Sequence, residues 1–219
     1  MSDTDGPTGY LAPPDGRGRP GVLVLPSWWG VDDAVRDVCE RLADEGFCAL
    51  APDLLGGVRP VDVAEAEAAL AAASPDELAK TVMLSIDVLR GRVRRGDAPI
   101  GIVGFAMGAS LGLWAATRRP AAVAAMVGYY GAQSLDFDDV EAEVLLHFAE
   151  RDDLVGEDDR VTTEAFLRMG GVAVEVVQHA GTEHGFAERG RVGHDAEAAD
   201  VAWASTVDLL RRRLVPETA

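Results

Sequence analysis

One stretch constrains this chain more than any other: Pro99-Ile-Gly-Ile-Val-Gly-Phe-Ala-Met-Gly-Ala-Ser-Leu-Gly-Leu-Trp114. It reads as a buried strand, a tight turn and a helix. Gly104 and Gly108 bracket residue 106 at the G-x-nucleophile-x-G spacing. The spacing has a physical cause. The central backbone is strained, and only small neighbours let strand and helix approach closely around it. A Ser or Cys at the apex would be lifted clear of the sheet. The apex here is Ala106, with no oxygen, sulfur or proton to offer. The chain keeps the turn and lacks the reagent.

Strands and helices alternate on either side of this turn. Residues 22–25 are a short apolar run leading into the loop 26–30. Val31, Ala34, Val35, Val38, Cys39 and Leu42 then recur at helical spacing, with Gly46 as the stop. A strand over 47–51 ends at Pro52-Asp53. Ser74-Pro-Asp-Glu77 is a capping box with proline at the first helical position, and its helix runs on through Leu89. The Glu- and Ala-rich stretch 64–70 reads as a solvated helix face.

Further strands are expected over 100–103, 123–129, 144–148 and 172–177, with a helix over 158–169 and an amphipathic closing helix over 195–214. Strands apolar on both faces and joined by helices indicate an α/β fold, a mostly parallel sheet with helices on both faces. No repeat, linker or composition shift divides the chain, so residues 1–219 are expected to form a single domain with no large cap. The first ~20 residues, rich in Gly and Pro, are expected to be an arm or an edge strand.

With 219 residues, 48% of them hydrophobic, the chain can bury one large core. No apolar run is long enough to span a bilayer, and the polar, acidic start Met1-Ser-Asp-Thr-Asp-Gly is unlike a signal peptide. A cytoplasmic protein is expected. Net charge is −17, from 37 acidic and 20 basic residues, which excludes nucleic acid and anionic lipid as natural partners. Cys39 and Cys48 lie among apolar residues and read as small buried hydrophobes rather than a disulfide.

Downstream of residue 106 an acid follows one strand and a histidine follows the next. The strand 144–148 runs into Ala-Glu-Arg-Asp152-Asp153, and 172–177 runs into Gln-His179-Ala-Gly-Thr-Glu-His184-Gly-Phe186. Nucleophile, acid, histidine is the order of the α/β-hydrolase fold. Further blocks occur in a shared order: Gly9-Tyr-Leu-Ala-Pro13, Trp28-Trp-Gly30, Arg36-Asp-Val38, Arg41-Leu-Ala43, Ala51-Pro-Asp-Leu54, Val103-Gly-Phe105, His147-Phe148 and residues 195–203. Together they make the chain resemble the dienelactone hydrolase family over nearly its whole length.

That resemblance implies a hydrolase of small esters or lactones with no cofactor and no metal. The partner would be a small molecule, and the protein a monomer or small homo-oligomer. His184 would be the base and Asp152 the acid that orients it. The backbone N–H groups of Met107 and Trp28 would form the oxyanion hole. Three departures accompany it. Ala106 occupies the nucleophile position. Ser27 stands where the family usually has a glutamate. Glu188 stands four residues after the histidine, where an arginine helps hold the substrate carboxylate in dienelactone hydrolases proper. Ser27, Trp29 and Glu188 are therefore expected beside the pocket, and dienelactone is not the expected substrate.

Each residue also has a structural reading. His184 can be a hydrogen-bonded loop histidine, Asp152 an N-cap or ion-pair residue, and Trp28 and Trp29 core packing rather than pocket mouth. Ser27 lacks the strained geometry of a substitute nucleophile. His147, inside a strand, reads as structural, and His179 and His194 show no metal-ligand spacing. Three functions remain on these residues: an ester or lactone hydrolase carrying alanine at its nucleophile position, a non-catalytic descendant binding a small ligand, and an enzyme that uses the His184–Asp152 dyad directly on water or on a bound acid.

Overall fold

A computed structural model describes residues 8–13, 15–93 and 98–215. Seven strands form one sheet: β1 (Gly9–Ala12), β2 (Gly21–Leu25), β3 (Cys48–Pro52), β4 (Ile100–Phe105), β5 (Val123–Tyr129), β6 (Glu143–Arg151) and β7 (Val174–Glu183). Their spatial order is β1-β3-β2-β4-β5-β6-β7. All neighbours pair in parallel except β1, which lies antiparallel on β3 with Tyr10 opposite Ala51. Among the described residues six α-helices flank the sheet: α1 (Asp33–Asp44), α2 (Val63–Ala72), α3 (Pro75–Arg90), α4 (Met107–Arg118), α5 (Glu157–Met169) and, after the last strand, α6 (Ala196–Leu214).

Alternation along the strands builds two cores. On one face Leu23, Ile102, Met126 and Leu146 meet Val82 and Ile86 of α3, Leu113 of α4 and Leu167 of α5. On the other, Val24, Val103, Val127 and Leu145 meet Val38 and Leu42 of α1 and Leu210 of α6. A mostly parallel sheet with both faces covered is thus the fold the periodicity indicates, and no large inserted domain interrupts the described residues. Local signals work as read. Ser74 Oγ accepts from the Glu77 amide with Pro75 behind it, and Asp195 caps α6 through the Ala198 amide. Only Ala66 of α2 is buried, as a solvated helix requires.

The main departure is β7, which starts at Val174 and continues past Val177 to Glu183. Its pairing with β6 extends to Arg151 opposite Glu183, beyond an irregularity after Ala149. As an edge strand it can be polar on its open side, so its second half carries no apolar signal. At the other edge, β1 realises the edge-strand expectation.

The surface carries the charge excess. With net charge −17, raising potassium chloride from 0.1 to 1 M shrinks the Debye length from about 10 to about 3 Å and should raise the thermal midpoint. A flat or falling midpoint in a salt series would show that self-repulsion does not limit stability.

Candidate active site

The C-terminal ends of β2, β4 and β5 and the loops after β6 and β7 converge on one cavity of about 460 Å³, which Ala106, Met107, Trp28 and His184 all line. Ala106 sits between β4 and α4 at φ 47°, ψ −113°, a conformation few non-glycine residues adopt and one that costs about 1–3 kcal/mol. Hydrogen bonds hold it there. Its N–H donates to the Tyr129 carbonyl at 2.9 Å, and its carbonyl accepts from Ala109 at 3.0 Å and Ser110 at 3.2 Å. Gly108 makes the close approach possible, because a Cβ there would stand 2.1 Å from the Leu25 carbonyl oxygen. Met107 is the first residue of α4, so its amide has no acceptor within the helix.

His184 Nδ1 lies 2.9 Å from both Asp152 carboxylate oxygens. Asp152 Oδ1 also accepts from the Leu154 and Val155 amides, each at 2.9 Å. Its side chain is 1% exposed, against 21% for His184. A carboxylate fixed by these donors directs the imidazole proton to Nδ1 and leaves the Nε2 lone pair free. The Tyr130 ring packs 4.8 Å from the His184 ring. Asp153, the neighbouring acid, is exposed and takes no part.

Three residues expected beside the pocket are not in its lining. Ser27 is buried and its Oγ donates to Glu188 Oε1 at 2.6 Å; Tyr130 OH donates to Oε2 at 3.1 Å. Glu188 is therefore a buried bracket rather than a substrate contact. The chain turns at Gly185 (φ +83°), and the Glu188 amide bonds the Gly185 carbonyl at 2.9 Å, which carries the side chain inward. Burial pushes the Glu188 carboxyl up, while the hydrogen bonds from Ser27 and Tyr130 pull it down. Trp29 lies under the Arg191 guanidinium at 4.1 Å and meets Trp28 edge-on at 5.8 Å, so only Trp28 reaches the cavity.

The bracket ties the His184 loop to the loop that carries Trp28. Glu188→Leu should leave two buried hydroxyls without their acceptor and cost about 2–5 kcal/mol in chemical unfolding; a loss under ~0.5 kcal/mol would show that the bracket carries little stability.

The rest of the wall has no sequence motif of its own. Leu70, Leu154 and Val155 are its apolar part, and Ser110, Gln133, Ser134 and Asp159 its polar part. Most follow strand C-terminal ends, where ligands of open α/β sheets bind, and that rule is the signal by which they are found.

His147 is structural, as read: buried in β6, it bonds His179 Nε2 through Nδ1 at 3.1 Å. Cys39 and Cys48 are buried free thiols, and burial pushes Cys39 up to about 12. Among the described residues no group of three or more His, Cys, Asp or Glu is placed to hold a metal. No helix of the described residues is long and apolar enough to cross a membrane.

Comparison with known proteins places this geometry in context. The sequence model of the dienelactone hydrolase family matches residues 8–214. Protein usf of Aquifex pyrophilus is 28% identical over 216 residues, covering 94% of this chain and 93% of its own. A protein of Azospirillum brasilense with the provisional name carboxymethylenebutenolidase is 30% identical over 218 residues, with 94% and 93% covered. The crystal structure of P91, a dienelactone hydrolase-like promiscuous phosphotriesterase from metagenomic libraries, superimposes with a TM-score of 0.80 at 24% identity, over 90% of this chain and 88% of that one.

Proposed function

Because this chain belongs to the dienelactone hydrolase family, we propose that its cavity takes a small carboxylic ester or lactone, and that Ala106 stands at the family's nucleophile position. One observation carries the reading. The strained residue 106 and His184, held from behind by Asp152, come from separate loops and border the same cavity as Met107 and Trp28. In this reading the two amides receive the carbonyl oxygen as it gains charge, and Asp152 holds His184 with Nε2 available as base.

With alanine at residue 106 no acyl-enzyme can form. What remains open to the site is direct attack by water. His184 Nε2 takes a proton from water as its oxygen bonds to the carbonyl carbon. The tetrahedral oxyanion rests on the two amides. Collapse breaks the bond to the leaving oxygen, which receives the proton from His184.

Mass spectrometry of the chain mixed with 4-nitrophenyl acetate tests the reading. The unmodified protein should show no acyl adduct, and Ala106→Ser should gain one acetyl group, mapped to residue 106. If Ala106→Ser and Ala106→Cys both stay unlabelled and neither they nor the unmodified chain turns the ester over, the site is that of a binding descendant rather than a hydrolase.

A further inference from the structure

We propose that this cavity selects ligands whose distal group is neutral or cationic and rejects those that carry a distal carboxylate. The inference rests on the reading of the site given above, and it concerns the charge of the substrate. Among the described residues no lysine or arginine lines the cavity, and the one carboxylate that does is Asp159, in the first turn of α5 beside Glu157 and Asp158. Arg160, next in the chain, is turned elsewhere. Its Nη1 donates to the Ala149 carbonyl at 2.7 Å, and its side chain lines a separate groove on α5.

Apart from His184, whose Nδ1 faces the Asp152 carboxylate that balances any charge on the ring, the remaining walls are apolar or neutral: Trp28, Leu70, Leu154, Val155 and the polar Ser110 and Gln133. The carboxylate of Asp152 lies behind His184 and that of Glu188 behind Tyr130, both within a chain of net charge −17. The positive end of the site, the Met107 and Trp28 amides with the α4 N-terminus, is directed at the reacting carbonyl oxygen. A second negative charge on the ligand finds no cation and faces Asp159. A cation finds Asp159 and the face of Trp28.

One like charge at ~6 Å in an effective dielectric of ~20 costs about a hundredfold in affinity. Asp159 is exposed, so solvent screening lowers that, and a penalty of about 10-fold is expected for the carboxylate.

Three phenyl acetates matched in size test it: the acetates of methyl 4-hydroxybenzoate (neutral), 4-hydroxybenzoate (anionic) and 3-hydroxyphenyltrimethylammonium (cationic). Binding to the unmodified chain is measured by calorimetry. Turnover by Ala106→Ser is measured as kcat/KM divided by each ester's own hydroxide rate. The anionic ester should fall about 10-fold below the neutral one in both, with the cationic ester equal to or above the neutral. Asp159→Asn, which keeps an acceptor for the Gly156 amide, should remove most of the anionic deficit, and 1 M potassium chloride should shrink it too.

Turnover of all three esters at comparable rates would overturn the charge selection and leave the hydrolase reading intact. Charge-ordered binding without turnover by the serine variant would overturn the hydrolase reading alone. An anionic deficit unchanged in Asp159→Asn would remove Asp159 as its source and overturn the proposal. Neither binding nor turnover would overturn both.

Discussion

Ala106→Ser should raise hydrolysis of 4-nitrophenyl acetate by about 10²–10⁴-fold over the unmodified chain, with a burst of 4-nitrophenol equal to the enzyme concentration. Proteases stripped of triad members still accelerate hydrolysis about 10³–10⁴-fold over water, through the oxyanion hole and binding alone. Introducing a nucleophile adds the covalent route on top of that residual catalysis. Serine at this position inherits a backbone already at φ 47°, ψ −113°, so the strain is present before the oxygen arrives. The side chain is half-buried at the cavity wall, and one added oxygen displaces no packed neighbour.

A second substitution separates catalysis from mere reactivity. On the serine background, His184→Ala should abolish the gain, because serine without its base is a weak nucleophile at neutral pH. Asp152→Asn should also lose most of it, by presenting the wrong imidazole tautomer. If His184→Ala leaves the gain untouched, the imidazole is not the base and the hydrolase mechanism is wrong. If the serine variant acylates but never turns over, the deacylating water rather than the nucleophile limits the site.

Much of this site is legible in the amino-acid sequence, for identifiable reasons. Gly104, Gly108 and the apolar run before them specify a strand–helix turn through sterics that act over a few residues. Asp152 and His184 follow strands whose apolar runs fix which end of the sheet they occupy. Loop side chains are another matter. Spacing places Glu188 four residues beyond His184, but its direction depends on the turn at Gly185 and on two hydroxyls, Ser27 and Tyr130, that lie 161 and 58 residues away in sequence. Trp28 and Trp29 are adjacent, yet Arg191 from another loop takes one of them and the cavity takes the other. Leu70 and Leu154 look like ordinary apolar residues until the chain folds them over residue 106. Local sterics and periodicity can be read; long-range pairings of loop residues cannot.

The largest stability effect is expected in acid, and its source is His147. Burial, and then the neighbouring His179, push this imidazole down to about 3. It is wholly buried in β6, with Nδ1 3.1 Å from His179 and Nε2 3.5 Å from the Thr206 hydroxyl, which in turn pairs with Tyr129 at 2.6 Å. In the unfolded chain an ordinary histidine titrates near ~6.5. Above that pH both states are neutral and His147 contributes nothing to pH dependence. Below it the unfolded state takes up a proton that the folded state refuses, so stability is lost progressively as pH falls from ~6.5 towards ~3, by about 1.4 kcal/mol per unit and roughly 5 kcal/mol in full. Glu188 works the other way. Its carboxyl is held up by burial, so the stability it contributes is present in acid and lost as pH rises through its folded value. It therefore offsets part of the loss at moderately acid pH without removing it. Urea unfolding of the unmodified chain and of His147→Asn, each at pH 7 and pH 4, isolates the histidine. The asparagine variant should start less stable at pH 7 and lose about 2–3 kcal/mol less on acidification. Equal losses in the two proteins would mean that His147 protonates in the folded state and that the buried pair tolerates a charge.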